Sequence, residues 1–327
     1  MSTDLFAFMK KEATVIDAVM REELSAIVCP HLPDILSHVL LAGGKRVRPL
    51  LTLLCARLVN PELASRSLYQ LATVVEYLHV ASLLHDDVVD RADQRRGKPT
   101  ANTLWGNAAA ILAGDFLHAR AMTLASMVGG VDCLAIIGRA TAAMVEAEFL
   151  QLDNAEQQDL VTENYYAVIN GKTASLITAA CEVGAFYAGA LEPQLQAVRI
   201  YGHNLGLAFQ IIDDLLDYGG DEVKTGKTVG NDFVEGKMTL PLILTLDSAP
   251  TEEKNRLLDL LGADPEERLL SFGEAQQIIA RQDGFGRARQ QAVSLMGEAL
   301  AKLDNFSACE AKTVLSGLAN YVLSREK

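Results

Sequence analysis

The chain has 327 residues, half of them apolar and 22% charged, which allows a large core and excludes global disorder. A formal net charge of −13 argues against nucleic acid or an anionic membrane surface as a general partner, so a site for an anionic substrate must be local. Five cysteines without a CxxC pair argue against a disulfide framework or a zinc knuckle and fit a reduced, cytoplasmic protein.

Taken in chain order, Met1-Ser2-Thr3-Asp4 lacks a basic stretch followed by an apolar one, so no secretory signal is expected. Gly43-Gly44 precedes a helix with Pro49 in its first turn. Apolar residues then recur at three- and four-residue spacing over Leu68–Leu84, Ala108–Met127, Leu134–Leu152, Ala174–Ala190 and Leu195–Leu216, and each stretch predicts a helix. Several are apolar nearly all round, which marks helices buried in a large bundle. Arg95-Arg96-Gly97-Lys98-Pro99 closes the first of them, Gly129-Gly130 separates the next two, and Gly219-Gly220 opens a polar stretch reaching Gly236. No charge-free apolar run is long enough to span a membrane, so no stable membrane insertion is expected. No Pro/Ser-rich linker divides the chain. The expectation is one domain over 1–327, all-α, a single large helical bundle around a central cavity.

The strongest chemical signal is D-D-x-x-D, present twice, as Asp86-Asp87-Val88-Val89-Asp90 and Asp213-Asp214-Leu215-Leu216-Asp217. Residues four apart share a helix face, so Asp86 projects with Asp90 and Asp213 with Asp217. Clustered carboxylates beside apolar neighbours repel one another and are costly to desolvate. A divalent cation offsets both effects, and magnesium suits such a site because it is held by one or two carboxylates plus substrate phosphates. A single triad reads equally well as a solvated helix end; two copies, each ending an apolar helix, favour a metal. They are expected to face each other across the bundle core.

Basic residues stand beside these landmarks: Lys45, Arg46 and Arg48 within GGKRVRP, Arg95 and Arg96 after the first triad, Lys172 and Lys227 each beside a glycine, and Lys237. Arginine grips phosphate bidentately and lysine acts as a point charge. Each alone reads as a surface residue; together, in an acidic chain, they point to a diphosphate.

These segments resemble the trans-isoprenyl diphosphate synthases, in particular the long-chain, octaprenyl-like branch of the polyprenyl synthetases. The resemblance rests on GGKRVRP at 43–49, LLHDDVVDRADQRRGKPT at 83–100, AGDFL at 113–117, GKTASL at 171–176, and FQIIDDLLDYGGD with GKTVGNDFVEGKMTLPLI at 209–243. It implies the isoprenoid synthase type I fold and up to three Mg2+ ions. Asp86 and Asp90 would hold two ions and Asp213 a third, with Asp214 and Asp217 supporting it through water and Asp87 also in the metal set. Arg95, Lys172, Lys227 and Lys237 would bind the allylic diphosphate, and Lys45, Arg48, His79 and Arg96 isopentenyl diphosphate. Lys172, Thr173, Gln210 and Lys227 would form the catalytic set, with the Thr173 and Gln210 dipoles near the reacting carbons. Read without the resemblance, His79 is a structural histidine, and His85 is left as a support to the triad.

The implied reaction is the 1'-4 condensation of isopentenyl diphosphate with farnesyl or geranylgeranyl diphosphate, giving a long all-trans polyprenyl diphosphate for a quinone side chain. The small Ala81 and Ser82, a turn before Asp86, would let the growing chain pass towards Leu78 and Val75, with Met144, Val145 and Phe149 as candidates for a floor. A homodimer is implied. Alternatives are a shorter-chain (farnesyl or geranylgeranyl) synthase and a non-catalytic subunit of a heteromeric synthase. A terpene cyclase is disfavoured by the second triad and RRG, and a metal phosphohydrolase by the scarcity of histidine.

Overall fold

The structure is a computed structural model that describes residues 2–95, 97–157, 161–219 and 229–325. Among the described residues it is all-α apart from one small hairpin, as the periodicity predicts. In order the elements are α1 (Ser2–Ser25), α2 (Leu32–Leu40), α3 (Val47–Val59), α4 (Arg66–Val89), β1 (Gln94–Arg95), β2 (Lys98–Pro99), α5 (Ala101–Trp105) and α6 (Asn107–Gln157). Then follow α7 (Thr162–Ile169), a π-helical turn (Asn170–Ala174), α8 (Ser175–Tyr187) and α9 (Glu192–Gly219). After residues outside the description come α10 (Asn231–Val234), α11 (Leu240–Ser248), α12 (Thr251–Gly262), α13 (Pro265–Arg281), α14 (Gly284–Lys302) and α15 (Glu310–Ser324).

The chain divides into two compact units. One comprises Met1–Thr141, Leu176–Gly202 and Lys302–Leu318; the other comprises Ala142–Ser175, His203–Ala301 and Ala319–Lys327. In the first, α3 packs along α4, and the interior of α4 is buried from Leu68 to Leu84 on nearly every face. The Arg57 guanidinium ties α1 to this core, donating to Glu12 at 2.9 Å and to the Tyr69 hydroxyl at 3.0 Å. In the second unit, Tyr218, Phe233, Leu242, Leu246, Leu257, Leu260 and Ile278 form a core that joins α9 to α10–α13. Each such side chain contributes roughly 1.5–3 kcal/mol on leaving water.

Two local departures from the expected helices matter. The segment after α4, expected to be only a closing turn, forms the hairpin β1–β2 with Arg95 opposite Lys98. The Gly129-Gly130 separator is a kink rather than a gap, with φ 77° and ψ −171° at Gly130 and helix on both sides. By length and composition Asn107–Asn154 is apolar enough to cross a membrane, a property hidden from a search for charge-free runs because isolated charges interrupt it. A third of its most apolar window is buried within this chain.

Candidate functional site

The first triad closes α4. Ser65 starts the helix by accepting from the Leu68 N–H at 3.1 Å. Where the burial of the helix gives out, Asp86 is half-buried, Asp87 buried and Asp90 exposed as the C-cap. Three carboxylates here stand at the negative end of the helix dipole, where anions are disfavoured and a cation is welcome.

Asp87 is engaged within the protein. Its Oδ1 accepts from Arg95 Nε at 2.7 Å, while its carbonyl accepts from the Ala92 N–H at 2.9 Å and from Asn102 Nδ2 at 3.3 Å. These bonds dock the hairpin on the helix end and set Arg95 beside the triad. Burial holds the Asp87 carboxyl above its ordinary range; Arg95 opposes the shift and Asp90 adds to it. Arg96 lies outside the described residues. His85 Nε2 is 3.2 Å from the Ile111 carbonyl and 3.4 Å from Asp115 Oδ1, so the AGDFL segment supports the residue next to Asp86.

The three cations of GGKRVRP separate by role. Arg46 is buried in a left-handed conformation (φ 48°) and bonds Asp17 at 2.8 Å, Glu76 at 2.7 Å and the Leu40 carbonyl, so it is structural. Lys45 is exposed before α3, and Arg48 is half-buried in its first turn. His79 is half-buried on α4, two turns before Asp86. Ala81 is buried, and half-buried Ser82 turns its hydroxyl onto the His79 carbonyl at 2.9 Å.

In the other unit the second triad ends α9, again at a helix C-terminus. Asp213 Oδ1 lies 3.2 Å from the Arg325 guanidinium, which stacks over the Phe209 ring at 4.8 Å. Asp217 Oδ2 accepts from the Asp232 N–H at 2.9 Å. Asp214 is buried between two donors: Tyr165 Oη donates to its Oδ2 at 2.7 Å and Gln210 Nε2 to its Oδ1 at 2.9 Å. Burial, then the charge of Asp232, pushes the Asp214 carboxyl up to about 8 against the pull of those donors. Lys237 bonds Asp232 at 3.1 Å and Glu235 at 2.6 Å. Burial works against its charge, but the two carboxylates outweigh it and hold the ammonium above its ordinary range.

The GKT segment is the π-helical turn, a feature the sequence does not announce. An extra residue per turn shifts the side chains after Ile169, and such turns concentrate at functional sites. Lys172 Nζ reaches Glu148 at 2.8 Å and Gln151 at 3.0 Å, while Thr173 Oγ1 donates to Gln210 Oε1 at 2.8 Å. The turn is held by close backbone approach. A Cβ on Gly206 would stand 2.5 Å from Ala174 Cα, and one on Gly171 would stand 2.5 Å from the Ala143 carbonyl. Lys227 lies outside the described residues. Of the residues suggested for a floor, Met144 is half-buried and Val145 and Phe149 are 54% and 67% exposed on α6. Glu148, Gln151, Tyr165, Asp232 and Arg325 join the site without having been singled out for it by sequence. Asp232 lies inside the 226–243 motif and Tyr165 six residues before GKT, whereas Glu148 and Gln151 on α6 and Arg325 stand 24, 21 and 112 residues from their partners, too far for a local signal.

Among the described residues, no three histidine, cysteine, aspartate or glutamate groups converge tightly enough to hold a metal unaided. The carboxylates of the two triads are hard oxygen donors of the kind a divalent cation takes together with water and phosphate oxygens. The all-α fold, with a carboxylate triad ending one helix in each unit, is that of an enzyme class which the comparisons identify. Residues 29–276 match the polyprenyl synthetase family, and the chain belongs to that family and is a prenyltransferase. The octaprenyl diphosphate synthase of Escherichia coli (strain K12) is 36% identical over 293 residues, 89% of this chain and 88% of its own. A decaprenyl diphosphate synthase from Rhodobacter capsulatus superposes with a TM-score of 0.89 at 38% identity, covering 100% of both chains. A geranylgeranyl pyrophosphate synthetase from Pyrococcus horikoshii Ot3 gives 0.91 at 32% identity over 99% of each.

Proposed function

We propose that the chain is a long-chain polyprenyl diphosphate synthase, condensing isopentenyl diphosphate with farnesyl or geranylgeranyl diphosphate head to tail (1'-4). The observation that carries this reading is the end of α4. Asp86 and Asp90 offer carboxylates at its last turn, and the small Ala81 and Ser82 lie just below them. The match to octaprenyl and decaprenyl synthases supports a long product. The family match runs through both units, which supports one polyprenyl synthetase domain over 1–327. The protein is taken to work in the cytoplasm.

Asp86, Asp90, Asp213 and Asp217 are assigned to hold up to three Mg2+ ions, and Asp87 and Asp214, both buried and bonded within the protein, to support them. Bound magnesium supplies positive charge that stabilises the departing diphosphate. Arg95, anchored through Nε, presents its terminal nitrogens to the allylic diphosphate, with Lys172, Lys227 and Lys237 adding charge. Lys45, Arg48, His79 and Arg96 take isopentenyl diphosphate. Thr173 and Gln210 turn oxygen dipoles towards the allylic cation that ionisation leaves. The alkene attacks that cation and a proton is lost, for which the released diphosphate is the base. No protein nucleophile is required.

The match to a geranylgeranyl synthetase favours a second reading, a shorter product. Product analysis separates the two. Purified protein, magnesium, labelled isopentenyl diphosphate and farnesyl diphosphate are expected to yield a chain longer than geranylgeranyl diphosphate, and Ala81→Phe a shorter one. Condensation that stops at geranylgeranyl diphosphate selects the second reading. A wild-type chain inactive by itself selects a non-catalytic subunit.

A further inference from the structure

Gln210 is an amide whose two ends have opposite polarity, and only one orientation helps a reaction that develops positive charge. In this structure its Nε2 donates to Asp214 Oδ1 at 2.9 Å, so its Oε1 turns to Thr173 and accepts the hydroxyl proton at 2.8 Å. The remaining lone pairs of Gln210 Oε1 and Thr173 Oγ1 are then what this pair offers. Against the ionised Asp214, the reverse orientation would place Oε1 on a carboxylate oxygen and present an N–H instead.

What holds the orientation is the Asp214 carboxyl, and what holds that carboxyl is Tyr165. The phenol comes from α7, just before the π-helical turn that carries Thr173. It is buried, with 6% exposure, its ring meets Tyr166 edge-on at 5.6 Å, and its hydroxyl donates to Asp214 Oδ2 at 2.7 Å. Bonded on Oδ2 by Tyr165 and on Oδ1 by Gln210, the buried carboxyl cannot rotate without breaking a bond. The four groups form one chain of donors and acceptors, in the order Tyr165, Asp214, Gln210, Thr173.

We propose that Tyr165 is a positioning residue for prenyl transfer: by anchoring Asp214 it fixes the polarity of the Gln210–Thr173 pair, oxygens outward. The inference rests on the prenyl-transfer reading of Thr173 and Gln210. Without the hydroxyl, Asp214 is held from one side only and Gln210 is free to turn its amide. The groups that bind the diphosphates are untouched.

The test is Tyr165→Phe, assayed by steady-state condensation of isopentenyl diphosphate with farnesyl diphosphate beside the wild type. The expected result is a fall in kcat of about tenfold, the scale of one buried hydrogen bond, with both KM values within about twofold of wild type. In a Gln210→Leu background the same substitution is expected to cost nothing further, because Tyr165 acts through Gln210. An unchanged kcat, a rise in KM alone, or losses that multiply in the double variant would overturn the proposal. If Tyr165→Phe fails to fold by circular dichroism, Asp214→Asn takes its place: its amide can serve only one of the two donors as an acceptor, so the same fall in kcat is expected, and full activity overturns the proposal. A wild type that condenses nothing would instead refute the prenyl-transfer reading.

Discussion

At the scale of single residues, the two triads differ from six equivalent ligands. Asp86 and Asp90 stand at a helix end with partial or full exposure, whereas Asp87 and Asp214 are buried and bonded to neighbours. Asp86→Ala is therefore expected to lower kcat on the order of a thousandfold, as loss of a principal charge-stabilising group does, with an unchanged circular dichroism spectrum. Retention of near-wild-type turnover would remove Asp86 from the metal set. Asp214 makes a different prediction. Its folded-state acidity is shifted up to about 8, chiefly by burial, so the native state binds its proton where the unfolded chain has released it. The contribution of Asp214 to stability thus falls as pH rises from the ordinary carboxylate range towards 8. In metal-free buffer, the melting temperature of Asp214→Asn relative to wild type should rise between pH 5 and pH 8. A difference that stays flat across that range, or falls, would contradict the assignment.

At the scale of elements, the site depends on how closely the π-helical turn approaches α9. Gly206 stands one turn before Gln210 on α9, and its missing Cβ is what admits Ala174. Gly206→Ala forces backbone against a Cβ, which typically costs about 1–3 kcal/mol of stability, and it moves Thr173 away from Gln210. Both a lower melting temperature and a lower kcat are expected. Loss of stability with kcat intact would mean that the Thr173–Gln210 contact does not matter for turnover. The hairpin plays the corresponding part at the other triad: two short strands, bonded to Asp87 through Arg95 and Ala92, convert a helix exit into a fixed cationic ledge.

At the scale of the whole molecule, α6 presents apolar side chains that this chain leaves uncovered. Met127 and Val131 are each 78% exposed, and Leu112 on the same helix is 65% exposed. Exposed apolar side chains of this kind, on both sides of the Gly130 kink, mark an interaction surface, and a second copy of the chain is the occupant that the family resemblance implies. Sedimentation of the wild type is expected to give a dimer, and Met127→Glu with Val131→Glu a monomer. A wild-type monomer, or a dimer indifferent to the two charges, would assign that face to another partner.

By itself the sequence determined the helices, the two aspartate triads and the cations beside them, because helical periodicity and i,i+4 spacing are local properties of the chain. It marked Asp86, Asp90, Asp213, Thr173 and Gln210 through motifs only a few residues long. The tertiary structure alone decided which charges are already engaged: Arg46 with Asp17 and Glu76, Arg95 with Asp87, Lys172 with Glu148, and Arg325 with Asp213. It also decided that Tyr165, 49 residues from Asp214 in sequence, is its donor. The reason is physical. A side chain's hydrogen-bond partner and its burial depend on which helices pack together, and a periodic pattern specifies a face without specifying its neighbour.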